Sequence, residues 1–359
     1  VTGNTAINGG SVNTGTYAQH YAGTVSLGAA TTLTASGVTF DAAVSGTSLA
    51  VNGTTTINGG SVTTTGAQTY NDAVTLGAAT TLSASAVTFE DVVSGTSLAV
   101  NGTTTINGGS VTTTGAQSYS GAVTLGADTT LASNSLVAAN AGITLSSTVD
   151  SADSTTARAL TINSIGATTL GGAVGGMHVL SSITTNAGGT LAINGGLVRT
   201  TGAQTYGEVA TLGADTTLRG VNVAFASTID SVGGTPYSLT ISDSGDTVLG
   251  GSVGALHALS SLTTDSLTTA DGETHIKGAH IVAGSAVFYD IVKVFIDATL
   301  QTQGEMTFMQ TVDADVANTR TLRLDGGSNG AISVYGAMGG SVAFKTLEVV
   351  NSEMTAFTG

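Results

Sequence analysis

The sequence predicts an all-β protein, a β-solenoid in which short parallel strands stack coil upon coil. Three observations predict this fold. The segment VSGTSLAVNGTTTINGGSVTTTGAQ at 44–68 recurs without change at 93–117. Its apolar residues alternate with small or polar ones, as in a strand with one buried face. Gly and Asn stand between the apolar runs, where they permit the sharp corners that a coiled chain needs.

The composition agrees with this fold and excludes several functions. Hydrophobic residues make up 41% of the 359 residues and charged ones only 9%, so the chain can bury a core. The net charge is −15, and no Lys or Arg precedes Arg158. Nucleic-acid binding requires a basic surface and is therefore excluded. No apolar run is long enough to cross a bilayer as a helix, so we expect no membrane insertion.

Residues 1–124 are predicted to be a regular solenoid with 49-residue double-coil repeats. A finer period of roughly 24–25 residues lies inside each repeat, which we interpret as two coils. The aligned apolar positions are Leu49, Val51, Ile57 and Val62, matched by Val74, Leu76, Leu82 and Val87. Because VTGNTAINGG at 1–10 matches VNGTTTINGG at 51–60, we expect a processed product or a fragment of a longer array.

Two further regions follow. Residues 125–270 contain a different unit, STVDS at 147–151 and STIDS at 227–231, and are predicted to form shorter variant coils. Residues 271–359 are predicted to be degenerate coils. This last region carries more charge and larger side chains, so we interpret it either as a cap and assembly end or as a wider coil. The whole chain is expected to contain roughly 15–17 coils of about 17–25 residues.

Two motifs supply structural candidates. INGG places an Asn at each corner, and stacked corners would align these residues in a hydrogen-bonded ladder; a plain turn is the alternative. The motif AQxY supplies either an exposed aromatic row or, as we favour, a corner Tyr that packs over the core edge while Gln bonds to the backbone. The candidates are Asn8, Asn58, Asn107 and Asn194 with Tyr21, Tyr70, Tyr119 and Tyr206.

Threonine is frequent at the spacing Thr-x-Thr, which places two side chains on one face of a strand. Flat threonine arrays of this kind occur in ice-binding solenoids. Such arrays repeat on every coil, whereas the predicted double coil puts Ala and Ser at the matching places of alternate coils. The sequence therefore favours ordinary β-branched surface residues.

The sequence provides little for catalysis, which needs titratable groups that converge. Asp150, Asp230 and Asp313 are aligned copies, and a catalytic group is seldom copied in every repeat, so we expect no enzyme and no cofactor. DSGD at 243–246 and DGGSNG at 325–330 loosely resemble calcium loops. They make Asp243, Asp246 and Asp325 candidate calcium ligands, although solvated turns are the interpretation that we favour.

The repeat style resembles that of giant bacterial surface exoproteins. The segments TINGGSVTTTGAQTY at 56–70 and LGGAVGGMHVLSSITT at 170–185 look like the β-strand repeats of filamentous-haemagglutinin-like adhesins and large autotransporter passengers. The resemblance covers about 1–265 well and the rest weakly. It implies a secreted, right-handed parallel β-helix on a bacterial surface, used for adhesion, aggregation or matrix.

From the sequence we therefore expect an extracellular structural protein, a stalk or filament that self-associates end to end. The alternative is an adhesin that binds a glycan or a surface protein through side loops near 134–158 and 231–237.

Overall fold

The computed structural model describes residues 1–265 and 272–357 and confirms the predicted fold class. The described residues form 38 strands and one short 3₁₀ helix, and the paired strands are parallel, in about 17 turns of a β-solenoid. The chain divides into two compact units, residues 1–180 and residues 181–359.

Unit 1 consists of short strands and a few long ones. Its strands are β1 (Thr5–Ile7), β2 (Ser11–Asn13), β3 (Gln19–Tyr21), β4 (Val25–Phe40), β5 (Val44–Ile57), β6 (Ser61–Thr64), β7 (Gln68–Tyr70), β8 (Val74–Phe89), β9 (Val93–Ile106), β10 (Ser110–Thr113), β11 (Gln117–Tyr119), β12 (Val123–Leu125), β13 (Thr129–Ser133), β14 (Ile143–Leu145), β15 (Val149–Ser151), β16 (Ala159–Ser164) and β17 (Ala167–Leu170). The 3₁₀ helix is Ala138–Asn140.

Unit 2 contains the remaining strands. They are β18 (Ser182–Thr185), β19 (Thr190–Ile193), β20 (Leu197–Arg199), β21 (Gln204–Tyr206), β22 (Val209–Leu212), β23 (Thr216–Gly220), β24 (Val223–Phe225), β25 (Ile229–Ser231), β26 (Ser238–Asp243), β27 (Thr247–Leu249), β28 (Leu259–Thr264), β29 (Glu273–Ile276), β30 (His280–Phe288), β31 (Ile291–Val294), β32 (Ala298–Thr302), β33 (Met306–Phe308), β34 (Val312–Ala314), β35 (Thr321–Asp325), β36 (Ala331–Val334), β37 (Thr346–Val350) and β38 (Met354–Phe357).

Each coil in the repeated part of unit 1 contains three strand segments, and each segment pairs with the equivalent segment of the next coil. Val51, for example, pairs with Leu33 on one side and with Tyr70 on the other. The long strands β4, β5, β8 and β9 continue around corners, and the pairing register shifts there, as between Leu27 and Ala30. Three stacks of parallel strands therefore run through this part of the unit.

The predicted length of the coils in 1–124 is wrong. Paired positions within 1–124 lie 17–21 residues apart, as for Gly37 with Thr54 and Ser11 with Thr32, so the chain closes a coil in fewer positions than the predicted 24–25. Eight strand segments lie between Val44 and Val93, and three make a coil, so the 49-residue repeat advances the chain by two and two-thirds turns. The finer sequence repeat of 24–25 residues contains four segments, whereas a coil contains three. The finer repeat therefore did not reveal the length of the coil.

Several later coils are longer than the regular ones, not shorter as predicted. Val123 pairs with Val149 and Thr247 pairs with Thr274, which raises the coil to 26–27 positions. In the coil from Val123 to Val149 the additional residues form the corner segment 134–142, which contains the 3₁₀ helix; in the coil from Thr129 to Leu160 the corner loop 152–158 adds more. In the predicted third region, β29 to β38 continue the parallel pairing of unit 2, which favours the interpretation as further coils.

The core of each unit is made of inward-facing apolar side chains from its strands. In β4, Val25, Leu33 and Phe40 each have no exposed surface. Burying a side chain of this size stabilises the fold by roughly 1.5–3 kcal/mol. Because the segments stack in register, many apolar side chains lie on another apolar one, as Leu33, Val51 and Tyr70 do, and the core continues from coil to coil.

Candidate functional site

The AQxY motif builds a buried corner that ties two coils together. Nε2 of Gln68 donates to the carbonyl of Val62 (2.9 Å), to Oγ1 of Thr64 (3.3 Å) and to the carbonyl of Ser83 (3.1 Å). Ser83 belongs to the next coil, whereas Val62 and Thr64 precede the glutamine in its own coil. The hydroxyl of Tyr70 donates to Oε1 of the same glutamine (3.1 Å). Both ends of the amide are therefore used in the protein interior, where an unpaired polar group is costly.

The other copies of the motif repeat this geometry. The four tyrosines are at most 4% exposed, so they lie at the core edge and do not form an aromatic row on the surface. Three of the rings stack on a phenylalanine of the next coil, at centroid distances of 4.7–5.8 Å. These pairs are Tyr21–Phe40, Tyr70–Phe89 and Tyr206–Phe225. Burial raises the pKa of Tyr70, Tyr119 and Tyr206, so their hydroxyls remain donors.

The four candidate asparagines lie at corners, each against a glycine of the following coil. These glycines are Gly28, Gly77, Gly126 and Gly213, in the order of the asparagines. A Cβ on Gly77 would overlap Oδ1 of Asn58, so the glycine leaves room for the asparagine side chain in its observed position. Nδ2 of Asn58 donates to Asp41, and Nδ2 of Asn107 donates to Glu90, both at 2.8 Å. These two asparagines thus bridge to carboxylates of the preceding coil.

The coil length explains why Asn8, Asn58 and Asn107 do not align. Successive copies of the repeat differ by two and two-thirds turns, so the three asparagines stand at three different corners of unit 1. A side-chain ladder does form where residues are one coil apart. Nδ2 of Asn71 donates to Oδ1 of Asn52 (2.5 Å), and Nδ2 of Asn52 donates to Oγ1 of Thr34 (3.2 Å). A spacing of 18–19 positions between polar residues was the sequence signal for this ladder.

The aligned aspartates hold loops of the following coil. Oδ1 of Asp150 accepts hydrogen bonds from the amides of Met177 (2.8 Å) and His178 (3.1 Å). The other two copies bind in the same way: Asp230 to Leu256 and His257, and Asp313 to Ser341 and Val342. Each loop has a glycine at φ 65–69°, two positions before the first of the two amides, so the three loops share this left-handed position. The copied carboxylate therefore serves as a fixed acceptor for two amides.

A second group of aspartates bridges coils at the start of a strand. In each case Oδ1 accepts the first amide of a strand in the next coil, at 2.8–3.1 Å. The pairs are Asp128 with Ala159, Asp215 with Ser238, Asp246 with Glu273, and Asp297 with Thr321. Sequence reasoning placed such residues in solvated turns and missed this role, although LGAD recurs at 125–128 and 212–215.

The candidate calcium ligands are engaged in separate protein contacts. Asp243 is buried and accepts hydrogen bonds from Oγ1 of Thr247 and the amide of Val223, both at 3.0 Å. Asp246 is exposed and makes the strand-start bond given above. Oδ2 of Asp325 lies 3.2 Å from Nη2 of Arg323. Within 1–265 and 272–357, no three His, Asp or Glu side chains are grouped so that they could hold a metal ion.

Unit 2 contains a corner of buried carboxyl groups. Oγ1 of Thr274 donates to both oxygens of Asp290, at 2.8 and 2.9 Å, and Oγ1 of Thr264 donates to Oδ1 of Asp290 at 3.2 Å. Burial raises the pKa of Asp290 and raises that of Asp243 to about 7, with the charges of Asp265 and Asp290 adding to the effect on Asp243. The corner therefore favours protonated carboxyl groups.

Comparison with known proteins gives no relative: no family model, no curated protein and no solved structure matches the chain. Among the residues that the structure describes, no helix has the length and hydropathy needed to span a membrane. Any functional conclusion therefore depends on the geometry of the two units.

Proposed function

We propose that the chain is an extracellular structural protein, a β-solenoid that serves as a stalk or filament on a bacterial surface. The observation that supports this most directly is the use of polar side chains as bridges between coils. Gln68, Asn58, Asp150 and Asp215 each bond to a neighbouring coil, in addition to the backbone pairing. A stack fastened in this way resists separation of its coils.

The repeat also supports end-to-end stacking of copies. The sequence Leu-Ala-Val at 49–51 pairs with Gln68–Tyr70, and the same sequence at 98–100 pairs with Gln117–Tyr119. The pairing between one coil and the next thus recurs with nearly identical residues. Solenoid edges carry unpaired amides and carbonyls, which are templates for such pairing.

Cryo-electron microscopy of native material, without refolding, tests this proposal. We expect fibres with a layer spacing of about 4.8 Å along the axis and with chains joined end to end. Separate particles at high protein concentration would contradict the filament. Particles tethered to the cell by one end would retain the stalk and reject the polymer.

The alternative function is an adhesin, and one feature of unit 2 favours it. The side loop near 231–237 borders a shallow depression of about 260 Å³. Leu256 is 78% exposed beside it and Val232 is 48% exposed. A glycan array with the full chain and with Leu256→Asp tests this function. Glycan binding that the substitution removes would support the adhesin function. An array without bound protein would favour the stalk.

A further inference from the structure

Outward-facing threonines form a continuous column on one stack of unit 1. Thr69, Thr88, Thr105 and Thr124 pair with one another in four successive coils. Below them the column continues with Ala50 and Thr32. All six side chains lie half-buried on the outer face of the strands.

A second stack carries an equivalent column. Thr39, Thr56, Thr75, Ser94 and Thr112 occupy matching positions in five successive coils. None of the residues named in the two columns is charged. The short coil produces this alignment and weakens the reason for which the sequence disfavoured a threonine array. With the observed register, Thr occupies most positions of each column, and Ala50 and Ser94 are the exceptions among the residues named.

The hydroxyl groups of the first column are available to solvent. Among the hydrogen bonds of the described residues, none uses the hydroxyl of Thr69, Thr88, Thr105 or Thr124, whereas corner threonines such as Thr65 donate to a backbone carbonyl. β-Branching restricts χ1, so the hydroxyl and methyl groups of a strand threonine are held in a fixed orientation. Neighbouring groups along a column are about 4.8 Å apart, the separation of paired strands.

We propose that these two faces of unit 1 bind ice. A rigid and uncharged column of hydroxyl and methyl groups can hold water in a regular array without the loss of side-chain entropy that Lys or Glu would incur. The repeat along the columns is close to the oxygen repeat in the basal plane of ice. Crystalline polysaccharide fits less well, because sugar rings stack on planar aromatic side chains and the columns have none. Self-packing is opposed by the acidic residues of unit 1, seven Asp and Glu against one Arg, which include corner carboxylates such as Glu90.

The test is incorporation of the full chain into slowly growing polycrystalline ice, together with thermal hysteresis and the shape of single ice crystals. We expect the protein to enter the ice and to shape the crystals. Exclusion from the ice, at the level of an inert protein of similar size, would overturn the proposal. Pelleting with microcrystalline cellulose without ice incorporation, or side-by-side bundling of copies, would also overturn it in favour of another occupant.

Variants locate the surface. Thr88→Lys with Thr105→Lys disrupts the first column, Thr56→Lys with Thr75→Lys disrupts the second, and the four together are expected to abolish incorporation. Asp72→Lys with Ser120→Lys adds lysines at exposed corners outside both columns and is expected to leave incorporation unchanged. Circular dichroism and thermal unfolding confirm that each variant is folded. A folded fourfold variant that still enters ice as the parent does would overturn the assignment of these columns.

The variants Thr88→Val and Thr105→Val keep the shape and rigidity of the side chain while removing the hydroxyl. A reduced incorporation of this pair shows that the hydroxyl groups contribute. The filament proposal is independent of this experiment, because ice incorporation requires exposed faces and not contacts between chain ends.

Discussion

At the residue scale, one glutamine per AQxY motif determines whether the buried hydrogen-bonding groups of a corner are paired. Nε2 of Gln117 donates to the carbonyls of Val111 (3.0 Å) and Ala132 (2.8 Å), and its Oε1 accepts from Tyr119 (3.0 Å). Gln117→Ala leaves these buried groups unpaired and opens a cavity, so we expect a loss of about 2–4 kcal/mol. Chemical denaturation of the chain, monitored by amide hydrogen exchange in β11 and β13 of unit 1, measures this loss of stability.

Tyr119→Phe is the matched control for this substitution. It removes one hydrogen bond and keeps the ring, so a loss of about 1 kcal/mol is expected. Equal losses for the two variants would show that the glutamine does not organise the corner.

Asp230 illustrates the second residue-scale device. It accepts the amides of Leu256 and His257 across the coil boundary. In Asp230→Ala we expect these two amides to exchange faster, with a local loss of about 1–2 kcal/mol, because charge-assisted bonds to backbone amides disappear. Amide exchange resolved by nuclear magnetic resonance or mass spectrometry measures this. Asp246→Ala, which releases the amide of Glu273, serves as control and should leave the 256–257 amides unchanged.

At the element scale, the corner formed by β26, β27 and β29 makes the stability of unit 2 depend on pH. The pKa of Asp243 is about 7 in the folded protein, well above its ordinary value of 3.8. Between these values the folded state holds a proton that the unfolded state has lost, so stability rises as the pH falls from about 7 towards 4. We expect a gain on the order of 2–4 kcal/mol over this window.

Asp243→Asn, a mimic of the protonated carboxyl group, is expected to stabilise unit 2 at pH 8 and to flatten this dependence. Denaturation at several pH values measures both effects. The exposed Asp215 makes stability depend on pH in the opposite direction. The amide of Ser238 lowers its pKa, so its contribution to the stability of unit 2 is present above pH 4 and is lost below it. A parent protein whose unit 2 is most stable at pH 8 would contradict the role assigned to Asp243.

The strands and the buried AQxY corners were within reach of the sequence, and the coil length was not. Alternation in segments such as Val74–Leu76 specifies which side chains point inward, and that alternation is local. Which segment lies beneath another depends on how many segments close a turn, and short segments of nearly equal length leave that number open. The asparagine ladder, the supposed alternation of Thr with Ala and the predicted coil length in 1–124 all failed for this reason, whereas later coils are longer because of their corner loops. The bridging aspartates were missed because a loop carboxylate has the same sequence signature whether it is solvated or bonded to the next coil.

At the scale of the whole molecule, two periods coexist in unit 1: the sequence has a 49-residue repeat, and the regular coils close in 17–21 positions. Successive copies of a motif are therefore turned by a third of a revolution about the stack. This distribution gives each stack a share of the AQxY corners and of the bulky rings. No single stack has to accommodate all the tyrosines, which keeps the core evenly filled.

This relation predicts which deletions the solenoid tolerates. Deleting 69–117 joins Gln68 to Ser118 and removes one repeat, or two and two-thirds turns. The strand that begins at Gln68 then continues as Ser118–Tyr119, and it still lies on Leu49–Val51, whose sequence is identical to that of the lost partner 98–100. We expect this deletion to fold with nearly unchanged stability per coil, as judged by circular dichroism and thermal unfolding.

Deleting 70–117 differs by one residue and joins Thr69 to Ser118. It shifts the alternation by one position and turns Tyr119 outward, so we expect loss of cooperative folding in the coils around the junction. Equal stability of the two deletions would show that the 49-residue repeat reflects only gene duplication. It would contradict the conclusion that coils can be removed in units of one repeat.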